Sequence, residues 1–265
     1  MNPPSVEIAD NGTGKNLLEC LQRIRQAEIE EARRLQFAMI PAQPLRAPEV
    51  ELVAMLRPVS EVGGDFLDYF QIPDGRIGFY VGDVAGKGLP AALFAALAVG
   101  TLRGFNKHME TPCSLLAHLN QRLRVHSLAG RYCAVQYGLY EPSKRRLEFA
   151  NAALPLPVHV SKSGPYLLGQ GGFPSGLLNN VSYERHSLEL EPGESVMFYT
   201  DGIAEAARAD GEEFGSERVA SVMARNGDLP AAEQLGRLFD TVDEFVAAAP
   251  QHDDMTALML KTLRC

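Results

Sequence analysis

The chain is poor in cysteine: Cys20, Cys113, Cys133 and Cys265 stand far apart in 265 residues, with no Cys-x-x-Cys. That spacing argues against a zinc knuckle or a dithiol redox motif, and reduced structural thiols are expected. Long apolar runs are missing too. The longest, Leu89 to Leu102, is interrupted by Pro90 and Gly100 and falls short of the roughly 20 residues that a membrane span needs. No charged-then-apolar leader opens the chain, because Met1-Asn2-Pro3-Pro4 runs into polar residues. A cytoplasmic protein without a membrane span is the expectation. Positive charge is also in short supply: 25 Lys and Arg against 33 Asp and Glu give a formal charge of -8, which excludes the basic face that nucleic acid requires.

What remains is ordinary for a soluble globular protein, at 46% hydrophobic and 22% charged residues, and long enough for one large domain or two small ones. Residues 1–15, rich in Gly, Pro, Asn and Ser, read as a flexible arm. Residues 16–40 read as a helix capped by Asn16 and ended by Pro41. Its Leu17, Leu21, Ile24, Leu35 and Ala38 fit a seven-residue repeat that Glu28 and Glu31 interrupt, so a short coiled coil and a helix packed on its own domain both fit.

From residue 41 onward the pattern changes. Strand composition at Val50 to Leu56, Phe66 to Ile72 and Ile77 to Val84, with the turn Pro73-Asp74-Gly75-Arg76, predicts a hairpin that returns Asp65 and Asp83 to one end of a sheet. A buried helix is expected over Pro90 to Phe105 and a second over Thr111 to about Ser127. Further strands are expected near 132–140, 145–150, 157–161, 181–188, 194–200 and 255–262, with helices near 215–225 and 230–248. Strands grouped around helix pairs, without regular alternation, predict an α+β layered fold with mostly antiparallel sheets.

Four acidic motifs fall at the ends of these strands: Gly63-Gly64-Asp65-Phe66, Gly82-Asp83-Val84-Ala85-Gly86-Lys87-Gly88, Tyr199-Thr200-Asp201-Gly202 and His252-Asp253-Asp254-Met255-Thr256. Any one of these aspartates alone reads equally well as a turn or helix-capping carboxylate. Brought together by a sheet they would repel unless a proton or cation intervened, and clustered carboxylate oxygens suit Mg²⁺ or Mn²⁺. A metal-dependent hydrolase is therefore the first expectation. Asp68, three residues from Asp65, points to the other face of its strand and is expected to be structural.

The order and wording of these motifs, through Gly86-Lys87-Gly88-Leu89-Pro90-Ala91-Ala92-Leu93 and Asp201-Gly202-Ile203-Ala204-Glu205-Ala206, resemble the bacterial SpoIIE/RsbU-type branch of the metal-dependent protein phosphatases, the protein phosphatase 2C superfamily. The resemblance runs from about Leu35 to Lys261. It implies a four-layer α-β-β-α sandwich over residues 41–265, preceded by a linker or dimerisation helix at 16–40. It also implies two Mn²⁺ or Mg²⁺ ions. Asp83 would bridge both and the Val84 carbonyl would bind one; Asp201 and Asp253 would hold the other, Asp65 would ligate or hold metal-bound water, and Asp254 would orient Asp253 or ligate a further ion. The implied activity is hydrolysis of phosphoserine or phosphothreonine, by in-line attack of a metal-bridging hydroxide, on an anti-sigma-factor antagonist. The lack of a Cys-x5-Arg signature agrees with a reaction that has no covalent enzyme intermediate.

Asn151-Ala152-Ala153-Leu154-Pro155 departs from the Asn-Ala-Gly-His-Pro common among relatives, which puts the geometry of that loop in question. His252 reads either as a proton donor to the leaving group or as a surface turn residue, and Lys87 either as a phosphate contact or as a solvated loop lysine. A catalytically silent module that sequesters a phosphoprotein is the competing reading; retention of all four aspartates weighs against it.

Overall fold

In the computed structural model, which describes residues 13–105, 111–125 and 130–264, two antiparallel sheets stack face to face between pairs of helices. One sheet orders its strands β1 (Leu45–Ala47), β2 (Val50–Arg57), β11 (Met255–Thr262), β10 (Ser195–Tyr199), β7 (Val158–Ser161) and β8 (Gly164–Leu167). The other orders β3 (Phe66–Gln71), β4 (Ile77–Val84), β5 (Cys133–Glu141), β6 (Arg146–Ala152) and β9 (His186–Glu189).

Strand alternation explains the layers, since successive side chains serve opposite faces. In β4, Ile77, Phe79 and Val81 enter the core between the sheets, while Tyr80 and Val84 turn outward under α2 (Gly88–Phe105) and α3 (Pro112–Val125). In β11, Leu258 and Leu260 face the other sheet, and Met255, Ala257 and Met259 lie under α5 (Gly215–Arg225) and α6 (Ala231–Val246). The three cores that result are the three interfaces of an α-β-β-α sandwich. Phe198 locks the central one, edge-on to Phe79 at 4.8 Å and to Phe149 at 5.6 Å between ring centroids.

The hairpin forms as expected. Asp74 accepts the Arg76 N–H, Gly75 takes φ 90°, and Phe66 pairs with Gly82, which sets Asp65 and Asp83 side by side just beyond the last paired residues. Thr111 Oγ1 accepts the Ser114 N–H and starts α3.

Several expectations need correction. Helix α1 spans Thr13–Ala38, so Asn16 lies within it and is not its cap. Helix α2 begins at Gly88 and is not buried all round: Leu89, Leu93 and Leu97 form an exposed stripe. The strand expected at 181–188 is confined to β9, because Gly172 packs on the Asn151 carbonyl and Ser175 bridges Cys133 where that strand would have extended. Strands β1 and β8 are additional to the strands expected from the sequence. Residues 1–12 of the expected arm, residues 126 and 127 of the second helix, and Cys265 lie outside the described residues.

Cys20, Cys113 and Cys133 are free thiols. Burial, with the nearby Asp83 charge, pushes the Cys133 thiol well up, as suits an inert core residue. Among the described residues no helix is long and apolar enough to cross a membrane.

Candidate active site

Each acidic motif sits where a strand enters or leaves the sandwich at one edge. Asp65 precedes β3 and Asp83 is the penultimate residue of β4. In the facing sheet Tyr199 pairs with Ala257, so the end of β10 and the start of β11 bring Asp201 together with Asp253 and Asp254. Asp201 opens the one-turn helix α4 (Asp201–Ala204).

Asp65 is the deepest of the group. One oxygen, Oδ2, accepts from Thr200 Oγ1 at 2.9 Å and from Thr256 Oγ1. Burial, followed by the Asp83 charge, holds its carboxyl well above the usual carboxylate range. Asp83 is pushed up to about 7 by burial and then by Asp201 and Asp253. Burial and then Asp253 raise Asp201. Three carboxyls are thus held against ionisation, Asp65 in part by Asp83, and Asp83 in part by Asp201.

Asp254 is also buried, and both its oxygens are engaged: Oδ1 accepts the Val59 N–H at 2.8 Å and Oδ2 the Asp65 N–H at 3.3 Å. Its own N–H donates to Asp253 Oδ1 at 2.9 Å. Asp253 is partly open to solvent and pairs with Lys87, whose Nζ lies 3.3 Å from Oδ2 and also donates to the His252 carbonyl. Lys87 is therefore a solvent-exposed loop lysine held at the rim of the cluster by Asp253. The His252 side chain is exposed.

Two glycines set how tightly the loops close. A Cβ on Gly63 would lie 1.8 Å from Asp254 Oδ2. One on Gly64 would lie 2.8 Å from the Val84 carbonyl oxygen and 3.1 Å from Asp83 Oδ1, so both oxygens converge on bare backbone.

Asp68 leaves the cluster, as the strand period requires. Its Oδ2 accepts from Arg103 Nε at 2.8 Å and Tyr80 OH at 3.2 Å, and Arg103 Nη2 reaches the Met39 carbonyl at 2.6 Å, tying β3, α2 and the end of α1 together. Leu154 is buried in the inter-sheet core, and Asn151 closes its loop with hydrogen bonds to the Leu154 N–H and carbonyl. Ala153 adopts φ 76°, a conformation that favours glycine.

Sequence reasoning missed Thr200, Thr256 and Gln36. The two threonines stand inside the motifs, but the feature that marks them, hydrogen bonding to a carboxylate 135 and 191 residues away, is not local. Gln36 clamps the Gly63 backbone from α1, donating to its carbonyl at 2.8 Å and accepting its N–H at 3.1 Å; a buried glutamine on a mostly exposed helix carries no pattern of its own.

The donor set suits a hard divalent cation: carboxylate oxygens, a backbone carbonyl, and repulsion that bound charge would relieve. Among the described residues no three His, Cys, Asp or Glu side chains close around one point by themselves. Mg²⁺ and its kin keep several waters, so carboxylates spread around a solvent-open edge remain compatible.

Comparison with known proteins agrees with this architecture. The chain is similar to protein IcfG of Synechocystis (25% identity, 89% of this chain and 41% of that protein) and to phosphoserine phosphatase RsbP of Bacillus subtilis (26%, 66% and 45%). It spans less than half the length of either. The SiaA-PP2C domain of Pseudomonas aeruginosa superposes with a TM-score of 0.80 at 25% identity, over 91% of this chain and 97% of that one. The Stage II sporulation protein E (SpoIIE) family model matches residues 73–263, most of the chain and three of its four acidic motifs in whole or part, and the chain belongs to the SpoIIE family.

Proposed function

We propose that this chain is a metal-dependent protein serine/threonine phosphatase that uses two Mn²⁺ or Mg²⁺ ions to hydrolyse phosphoserine or phosphothreonine. The observation that carries the reading is the convergence of Asp65, Asp83, Asp201 and Asp253, from four separate strand ends, into one mutually repelling cluster. RsbP and RsbU of Bacillus subtilis, both similar to this chain, are named phosphoserine phosphatases. That supports the substrate class, and a phosphorylated anti-sigma-factor antagonist in the cytoplasm is the target we favour.

When bound, the cations would lower the pKa of a water and neutralise charge on the phosphoryl oxygens. Asp83 would touch both ions and the Val84 carbonyl one of them, with Asp201 and Asp253 serving the other. Asp65, held by Thr200 and Thr256, would orient ligands from beneath. Asp254, with both oxygens committed to backbone N–H groups, would position Asp253 and the Asp65 loop. The exposed Leu21, Ile24 and Leu35 of α1 offer a face for a second copy or a regulator. Ultracentrifugation tests that: concentration-independent monomers, with activity unchanged on deleting residues 1–35, would remove it.

The test of activity is Mn²⁺-dependent release of phosphate from a purified phosphoserine protein. Turnover establishes the phosphatase. Failure of turnover with retained binding of the phosphoprotein would favour a sequestering module.

A further inference from the structure

The loop that follows Asp83 and Val84 is gripped from outside by a side chain that no acidic motif contains. Ala85 donates its N–H to the Tyr132 carbonyl at 3.0 Å, extending the pairing of Val84 with Cys133 by one step. That step lays Arg131 across the loop. Its Nη1 donates to the Ala85 carbonyl at 2.9 Å, and a Cβ on Gly86 would lie 2.5 Å from the same nitrogen. Gly86, at φ 107°, is the residue that leaves room for the guanidinium.

Arg131 makes no ion pair among the described residues, although the chain is acidic overall and the neighbouring cluster is strongly so. Lys87, one residue beyond Gly86, by contrast pairs with Asp253. One hydrogen bond to Ala85 occupies one of the five N–H donors of a guanidinium. The others form a planar fork suited to two oxygens of a phosphoryl group. Helix α2 starts two residues further on at Gly88, with no acidic residue in its first turn, so its unpaired N–H groups add to the positive potential at the same loop.

We propose that Arg131 is the phosphate-binding side chain of this site, engaging the non-reacting oxygens of the phosphoserine phosphoryl group while the carboxylates hold the cations; this rests on the phosphatase reading above. Binding of that kind acts on ground state and product as well as on the reaction, so it appears chiefly in KM and in product inhibition.

The experiment compares the full chain with Arg131→Met and Arg131→Lys. It measures kcat and KM on the phosphoserine protein and on p-nitrophenyl phosphate, the inhibition constant of inorganic phosphate, and the Mn²⁺ concentration for half-maximal activity. Loss of a charge-assisted hydrogen bond predicts that R131M raises both KM values and the phosphate inhibition constant by about 10- to 100-fold. R131K should recover part of this, and the Mn²⁺ requirement should stay unchanged. An unchanged phosphate inhibition constant in R131M would overturn the proposal, as would a fall in kcat with a shifted Mn²⁺ requirement and unaltered phosphate inhibition, because either shows that Arg131 only props Ala85. If the wild type turns over neither substrate, the phosphatase reading fails separately. Calorimetric titration of the Mn²⁺-loaded proteins with inorganic phosphate then decides the role of Arg131: weaker binding to R131M supports it and equal binding refutes it.

Discussion

Replacing Asp83 by Asn should stabilise the metal-free protein while abolishing its response to metal. The Asp83 carboxyl is raised from 3.8 to about 7, first by burial and then by Asp201 and Asp253. Because the folded state holds its proton more tightly than the unfolded chain, stability falls as pH rises between about 4 and 7, and the full cost is present above that window. Each pH unit of the gap is worth about 1.4 kcal/mol, which gives about 4 kcal/mol. Asp83 shares its repulsion with Asp253, which is partly solvated, so about 2–4 kcal/mol is expected. For a chain of this size that corresponds to a melting temperature higher by about 4–10 °C at pH 8 in EDTA. The advantage should shrink as pH is lowered toward 4. Mn²⁺ should raise the melting temperature of the wild type and leave D83N nearly unmoved. A D83N protein less stable than wild type in EDTA at pH 8, or one stabilised by Mn²⁺ to the same extent, would refute the electrostatic argument.

Gly63→Ala places a methyl group on Asp254 Oδ2, so the Val59 and Asp65 backbone contacts must break; activity at limiting Mn²⁺ should fall at least about tenfold, read as the metal concentration for half-activation. Asp68→Ala strands Arg103 and Tyr80 without touching the carboxylate cluster, and should cost about 2–3 kcal/mol in urea unfolding with the Mn²⁺ requirement unchanged. Ala153→Gly relieves a positive-φ alanine; set against the greater freedom of glycine in the unfolded chain, a net gain of about 0.5–1 kcal/mol is expected in the same assay.

Local patterns carried much of the architecture. Strand composition placed β2, β3 and β4, and the Pro73-Asp74-Gly75-Arg76 turn fixed the register that sets Asp65 beside Asp83. What was illegible depended on pairing partners distant in sequence. Val181 to Arg185 have strand composition but meet no free edge, since the chain around Gly172 and Ser175 occupies it. The apolar stripe of α2 reads as core because leucine is ordinarily buried, yet Leu93 faces outward. The positive backbone φ of 76° at Ala153 is invisible in the sequence until the Asn151 loop closes. Arg131 stands outside every motif and becomes visible only when the start of β5 comes to lie along the Asp83 loop.

The central claim, that four aspartates from four strand ends form one cation centre, is tested most directly by titrating the metal-free protein with Mn²⁺ and following bound ion by electron paramagnetic resonance. The account predicts two ions per chain in the wild type and a loss of saturable binding in both Asp83→Asn and Asp201→Asn. Binding of equal stoichiometry and affinity in either variant would contradict it.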